Sequence, residues 1–249
     1  MKVRSQSSST PKRRSEPSQE FWTSSRALAE LRRLGERRNV EGMARFGIFA
    51  KNVLGVAKPK MDELARKIGR NHRLALELWE TGVHDARILA GMIDEPEQVT
   101  TAQMNRWVRD FDNWDVCDGT CCHLFAFAGP AWDRAIAWTK WAKEFEKRAG
   151  FALIAHLAYR DKTAKDSQYT KILPLLLREA RDERNFVRKS VNWALRNIGK
   201  RNLNLNRAAI RTAEKMRTLD SRSARWIAAD ALRELKSDAV QSRLRWKKA

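Results

Sequence analysis

The fold this sequence predicts is an all-α helical repeat solenoid, a curved superhelix of paired helices with a concave basic face. Three observations predict it. Eleven Gly and six Pro in 249 residues amount to roughly 7%, where ordinary usage is about 12%, too few for the turns of an all-β chain. From Phe21 onward apolar residues recur at helical spacing, and no convincing pair of strands interrupts them. The same kind of segment also returns along the chain, as repeated helical units do.

Residues 1–20 are rich in Ser, Pro, Arg and Lys and nearly free of apolar side chains. They cannot offset the entropy of ordering and read as a flexible basic tail. The repeat domain is expected over 21–238, with a basic C-terminal end over 239–249. Leu28, Leu31 and Leu34 open the helical pattern; Leu64 and Ile68 continue it, followed by Leu74, Leu76, Leu78 and Trp79, then Ile88, Leu89, Met92 and Ile93. Breaks at 55–59, 69–71, 94–96, 129–130, 161–165, 199–206 and 218–223 divide the chain into helices of ordinary length. ARILAGMI, FEKRAGFALIAHLA, FVRKSVNWALRNIG and ARWIAADALREL are similar segments. Phe145 and Phe186 stand 41 residues apart, and Ala194-Leu195-Arg196 returns 37 residues on as Ala231-Leu232-Arg233. Such intervals suit HEAT-like helical pairs, each burying its apolar face by stacking on the next.

Fifty Lys and Arg against thirty Asp and Glu leave a formal charge of +20. With 43% hydrophobic residues most of the chain can build a core, so this charge belongs to a folded surface. It points to a polyanion, and inside a cell the abundant one is nucleic acid. No apolar run approaches the roughly 20 residues a membrane span requires, and the N-terminus lacks the apolar stretch of a secretory signal. A cytoplasmic protein with no membrane partner is expected.

Helical-wheel positions, about 100° per residue, set a few side chains apart. Val187, Val191, Ala194, Leu195 and Ile198 share one apolar sector, while Trp193 points roughly 140° from its centre, among Lys189, Arg196 and Lys200. An aromatic ring among cations suits a sugar or base whose phosphates the cations hold; packing on the adjacent repeat suits it equally. Arg148 lies opposite Gly150, Leu153, Ile154 and Leu157, with only Ala152 and Ala155 nearby. That leaves room for a backbone phosphate, or for an ordinary surface ion pair. Trp114 and Asp118, four apart, share a face that Cys121 and Phe125 continue. A carboxylate set against aromatic rings can stabilise an oxocarbenium-like sugar; it can also be a helix cap or an ion-pair partner. Asp115 points elsewhere and reads as dispensable.

Cys117, Cys121, Cys122 and His123 invite a zinc reading. Adjacent cysteines and a neighbouring His on one helix do not converge on a tetrahedral ion, and no distant ligand pair completes a site. The cysteines read as small packing residues of a reducing compartment. Phosphate-loop, dinucleotide and HExxH patterns are absent, so no metal and no nucleotide or other cofactor is expected.

Taken together in order and spacing, MARFGI, LGVAKPKMDELARKI, ALELWETGVHDARILAGMI, RWVRDFDNWDVCD, KRAGFALIAHLA, DERNFVRKSVNWALRNIGKRN and SRSARWIAADALREL resemble the DNA alkylation repair family, the AlkD-like HEAT-repeat DNA glycosylases. The resemblance covers most of residues 40–238. It implies that Trp114 and Trp193 contact the deoxyribose of the lesion nucleotide, that Asp118 is the catalytic carboxylate and that Arg148 contacts the DNA backbone; Lys189, Arg196 and Lys200 are expected as further DNA contacts from their places around Trp193 on the helical wheel. The implied activity is a monofunctional glycosylase acting on double-stranded DNA that carries N3- or N7-alkylated purines, without extruding the base; a repeat array closed by its own end helices suits a monomer. The alternative is a noncatalytic repeat protein that binds bent or branched DNA.

Overall fold

The computed structural model describes residues 21–49 and 52–246; the expected tail at 1–20 lies outside them. Fourteen α-helices are described: α1 (Ser24–Leu34), α2 (Arg37–Met43), α3 (Lys58–Ile68), α4 (His72–Glu80), α5 (His84–Ile93), α6 (Thr101–Arg109), α7 (Trp114–His123), α8 (Ala131–Trp138), α9 (Glu144–Arg160), α10 (Asp166–Glu179), α11 (Asn185–Gly199), α12 (Leu203–Arg217), α13 (Arg222–Leu235) and α14 (Asp238–Trp246). No strand occurs among the described residues; one antiparallel bridge joins Gly35 to Val56.

Local chemistry sets the helix starts. Asn71, Asn113, Asn202 and Ser221 each accept a hydrogen bond from a first-turn N–H, which fixes where α4, α7, α12 and α13 begin. Two expected breaks therefore end early, at Asn202 and Ser221. Pro59 sits in the first turn of α3, where its missing N–H costs nothing, so the break expected over 55–59 closes by Lys58. α14 starts at the expected boundary at 238 and buries Val240 and Leu244, so the described part of 239–249 is a packed helix.

The helices stack as a helical repeat solenoid of two rows. One row is α5, α7, α9, α11 and α13, each packed on the next; α4, α8 and α12 back onto α5, α9 and α13, and α6 and α10 fill the same outer layer. Phe145 and Phe186, one repeat apart in sequence, meet with ring centroids 5.1 Å apart. The outer layer holds an aromatic spine: Trp79 stacks on Trp107 at 3.9 Å, and Phe125 links Trp107 to Trp138. Gly150 lets α9 close on α8, because a Cβ there would sit 2.7 Å from the Thr139 nitrogen and 2.8 Å from the Ala135 carbonyl oxygen.

Buried polar groups bridge successive repeats. Asp85 accepts from Leu54 and Val56 N–H, Trp79 donates to Asp110, Asn192 to Asp230 and Asn197 to the Ala155 carbonyl. Such bonds fix the angle between units, because a buried donor left unpaired is costly. Leu195 is fully buried in α11. Leu195→Ala should lower stability by about 2–5 kcal/mol through cavity formation, measured by urea unfolding; no change would contradict its core position.

Candidate functional site

The residues set apart by the wheel arguments lie on three consecutive helices of one row: Trp114 and Asp118 on α7, Arg148 on α9 and Trp193 on α11. Asn113 caps α7 by accepting from the Asp115 and Val116 N–H groups, which places Trp114 at the first helical position and Asp118 one turn later. Asp115 pairs with His84 of α5 at 3.2 Å, so it does point away from this group.

Asp118 and Arg148 meet directly. Nε of Arg148 donates to Oδ1 of Asp118 at 2.9 Å and Nη2 donates to Oδ2 at 2.6 Å, a two-pronged pair. Nη1 donates to the Phe186 carbonyl at the start of α11, at 2.8 Å. The guanidinium thus ties three repeats together at one point. The Arg148 side chain is 8% exposed and the Asp118 side chain 19%. The space expected beside Arg148 is filled by a carboxylate from the preceding repeat, so Arg148 is a buried ion-pair partner. Burial pushes the Asp118 carboxyl above its ordinary value of 3.8, with the Arg148 charge working against the rise. Burial alone would lower Arg148, but the Asp118 charge and hydrogen bonds outweigh it.

The stripe continuing from Trp114 and Asp118 is the seam with α9. Sγ of Cys117 and of Cys121 approach the Phe145 and Ala149 carbonyls at 3.8 and 3.7 Å, and both residues are fully buried. Phe125 is also fully buried, beyond the end of α7. Cys122 accepts from Arg160 instead. The cysteines are therefore packing residues aimed at different neighbours, and among the described residues no three His, Cys, Asp or Glu side chains are grouped to hold a metal.

Trp193 is half-buried, its ring edge against His156 of α9 with centroids 4.8 Å apart. The buried Nε2 of His156 has no hydrogen-bond partner among the described residues. The imidazole thus joins α9 to the second tryptophan, a contact the sequence did not signal. Burial, aided by Arg160 and His123, lowers its pKa from 6.5 to about 4. Its contribution to stability is complete above 6.5 and is lost as the pH falls towards 4, because the unfolded chain takes up the proton first. Between pH 7 and 4 the wild type should lose about 3 kcal/mol more than His156→Asn does, measured by urea unfolding; parallel losses would contradict this.

The cations grouped around Trp193 differ from expectation. Arg196 and Lys200 both bind Glu234 of α13, at 2.6 and 2.7 Å, and Arg196 also reaches Asp230 at 3.5 Å. They are held as inter-repeat ion pairs, since acidic residues 34 and 38 positions later fold over them. Lys189 is exposed and lies 6.0 Å from the Phe186 ring centre. A cleft of about 400 Å³ opens past the ends of α9 and α11, where Lys162, Lys200, Arg201 and Arg243 converge with Tyr159 and Asn202. Arg201 is committed to the Ala158, Asp161 and Ala164 carbonyls. Arg243 and Lys162 face solvent. Both lie outside the quoted motifs, and folding brings them beside Lys200.

A helical repeat solenoid that carries a clamped carboxylate and two tryptophans on one row of helices defines a class of repeat protein with a built polar site. The chain belongs to the DNA alkylation repair enzyme family, whose model matches residues 27–235. Among solved structures, one described as a new family of proteins related to the HEAT-like repeat DNA glycosylases with affinity for branched DNA structures is 21% identical. It covers 90% of this chain and 96% of its own, with a TM-score of 0.75. A designed armadillo repeat protein is 15% identical, covering 84% of this chain and 98% of its own, with a TM-score of 0.40. No curated protein matches the chain. Among the described residues no helix is long and apolar enough to cross a membrane.

Proposed function

We propose that the protein is a monofunctional DNA glycosylase that hydrolyses the N-glycosidic bond of N3- and N7-alkylated purines in duplex DNA. The observation that carries this reading is the Asp118–Arg148 pair: a mostly buried carboxylate, held by two hydrogen bonds and 19% exposed, on the row of helices that also carries Trp114 and Trp193. An ionised carboxylate has about four acceptor sites. Arg148 takes two, and those remaining can face a ligand.

The chemistry needs little more. An alkylated purine carries a positive charge, so the bond from C1′ to the base nitrogen breaks with its electron pair moving to the base, which leaves neutral. The sugar develops oxocarbenium character, and a fixed negative charge stabilises it. Water adds at C1′ and its surplus proton goes to solvent, with Asp118 accepting a hydrogen bond from the attacking water. Trp114 and Trp193 pack against the deoxyribose, and Arg148 acts as a positioning residue through Asp118. The monomeric protein binds DNA through the basic face along this row, with Lys189 and the cleft at Lys162 and Arg243 holding phosphates.

A second reading has a specific observation behind it: the solved neighbour is described as having affinity for branched DNA. On that reading the same surface binds bent or branched DNA without chemistry. Release of free base from an N7-methylguanine duplex tests the choice. The glycosylase reading expects release that slows as salt is raised, since each phosphate neutralised contributes a slope of roughly −0.9 in log affinity. Salt-sensitive binding without release would favour the binder.

A further inference from the structure

The segment that leaves α2 carries two phenylalanines that the core does not use. Phe46 is 71% exposed and Phe49 79%. The backbone at Phe46 is nonetheless held. Gly47 turns the chain with φ of 76° and donates to the Ala44 carbonyl, while Ile48 is buried and donates to the Met43 carbonyl.

This turn is pinned to the site on two sides. The Trp114 indole N–H donates to the Phe46 carbonyl at 2.8 Å. On the other side a Cβ on Gly47 would lie only 3.3 Å from Cζ of Phe186, whose ring faces the Arg148 guanidinium at 5.8 Å. The turn therefore sits between Trp114 of α7 and Phe186 of α11, at the edge of the Asp118 site. Single exposed apolar residues are ordinary. Two exposed aromatic rings three residues apart, one on a turn bonded to a site tryptophan and both near the exposed Arg45, form an apolar projection beside a cation. A flat ring held this way matches the gap between two stacked bases, and apolar side chains that enter such a gap unstack it and kink the duplex.

We propose that Phe46 and Phe49 form a wedge that enters the base stack of duplex DNA beside the nucleotide at Trp114 and Trp193. The inference rests on the DNA reading of that site. The wedge opens the stack next to the lesion, exposing C1′ to Asp118 and water without a pocket for the base, and Arg45 holds the neighbouring phosphate.

The test places 2-aminopurine, whose fluorescence rises when it unstacks, next to N7-methylguanine in a duplex, and follows base release from the same duplex. Full-length wild type should raise the fluorescence several-fold. Phe46→Ala/Phe49→Ala should abolish the rise and weaken binding by about ten-fold or more, with an unchanged urea midpoint because both rings are exposed. Phe46→Trp/Phe49→Trp should retain the rise. A double alanine variant that unstacks DNA as wild type does would overturn the wedge. Base release by wild type with no fluorescence rise would also overturn it while leaving the glycosylase reading intact. A wild-type rise that the alanine variant loses, with no base release, would uphold the wedge and reject the glycosylase.

Discussion

Asp118→Asn should cut base release from an N7-methylguanine duplex by about 100-fold or more, the scale on which removing one fixed electrostatic contact slows an enzyme, while DNA affinity stays within about two-fold. Asn keeps the shape of the side chain and one carbonyl acceptor for Arg148, so the α7–α9 contact survives in part. It removes the negative charge that an oxocarbenium-like sugar needs. Affinity is carried by phosphate contacts elsewhere and does not follow the charge at position 118. The pH dependence has a defined direction. Burial lifts the Asp118 carboxyl above 3.8, so the rate should fall on the acid side at a pH above that of an ordinary aspartate, as the carboxylate takes up a proton. A variant that releases base at the wild-type rate would remove Asp118 from the chemistry.

Arg148→Ala should destabilise the fold by about 3–5 kcal/mol, the range for breaking a buried pair from one side. The residue is 6% exposed, so water cannot replace the hydrogen bonds it gives to Asp118 and to the Phe186 carbonyl. Removal leaves a carboxylate in a poorly hydrated site with the charge of Asp115 nearby and no guanidinium to oppose its burial. The acid limb of the remaining activity should therefore move further up in pH. Arg148→Lys should recover part of the stability and little of the activity, because an ammonium keeps the charge but cannot hold both carboxylate oxygens in one plane. Urea unfolding of Arg148→Ala, Asp118→Asn and the double variant separates the pair's coupling from the single losses. A loss under about 1 kcal/mol for Arg148→Ala would mean the pair behaves as a solvent-screened surface contact.

The helical wheel shows where a side chain leaves its own helix, and for this protein that was enough to single out Trp114, Asp118, Arg148 and Trp193. It does not show what the next repeat brings to the same place. The small residues around Arg148 suggested an opening for phosphate, yet Asp118, 30 positions earlier, occupies it. Arg196 and Lys200 looked like free cations because Glu234 lies on another helix. Helix starts were only partly legible: Asn202 and Ser221 cap helices inside breaks drawn too long, and Asn113 caps one where no break was expected. The interval from Phe145 to Phe186 carried real spatial information, as the two rings touch. The turn at 44–48 showed only as the MARFGI block; its shape, set by one left-handed glycine and a long-range bond from Trp114, did not. His156 was equally silent, because a lone histidine acquires its low pKa only from the repeats packed around it.

The most direct measurement is release of free base from duplex DNA containing N7-methylguanine, run side by side with wild type and Asp118→Asn at saturating protein. Release by wild type, with the variant slowed by about two orders of magnitude yet still bound to the duplex, is the predicted result. Equal release by both proteins, or none by wild type despite tight salt-sensitive binding, would contradict a glycosylase built on the Asp118–Arg148 pair.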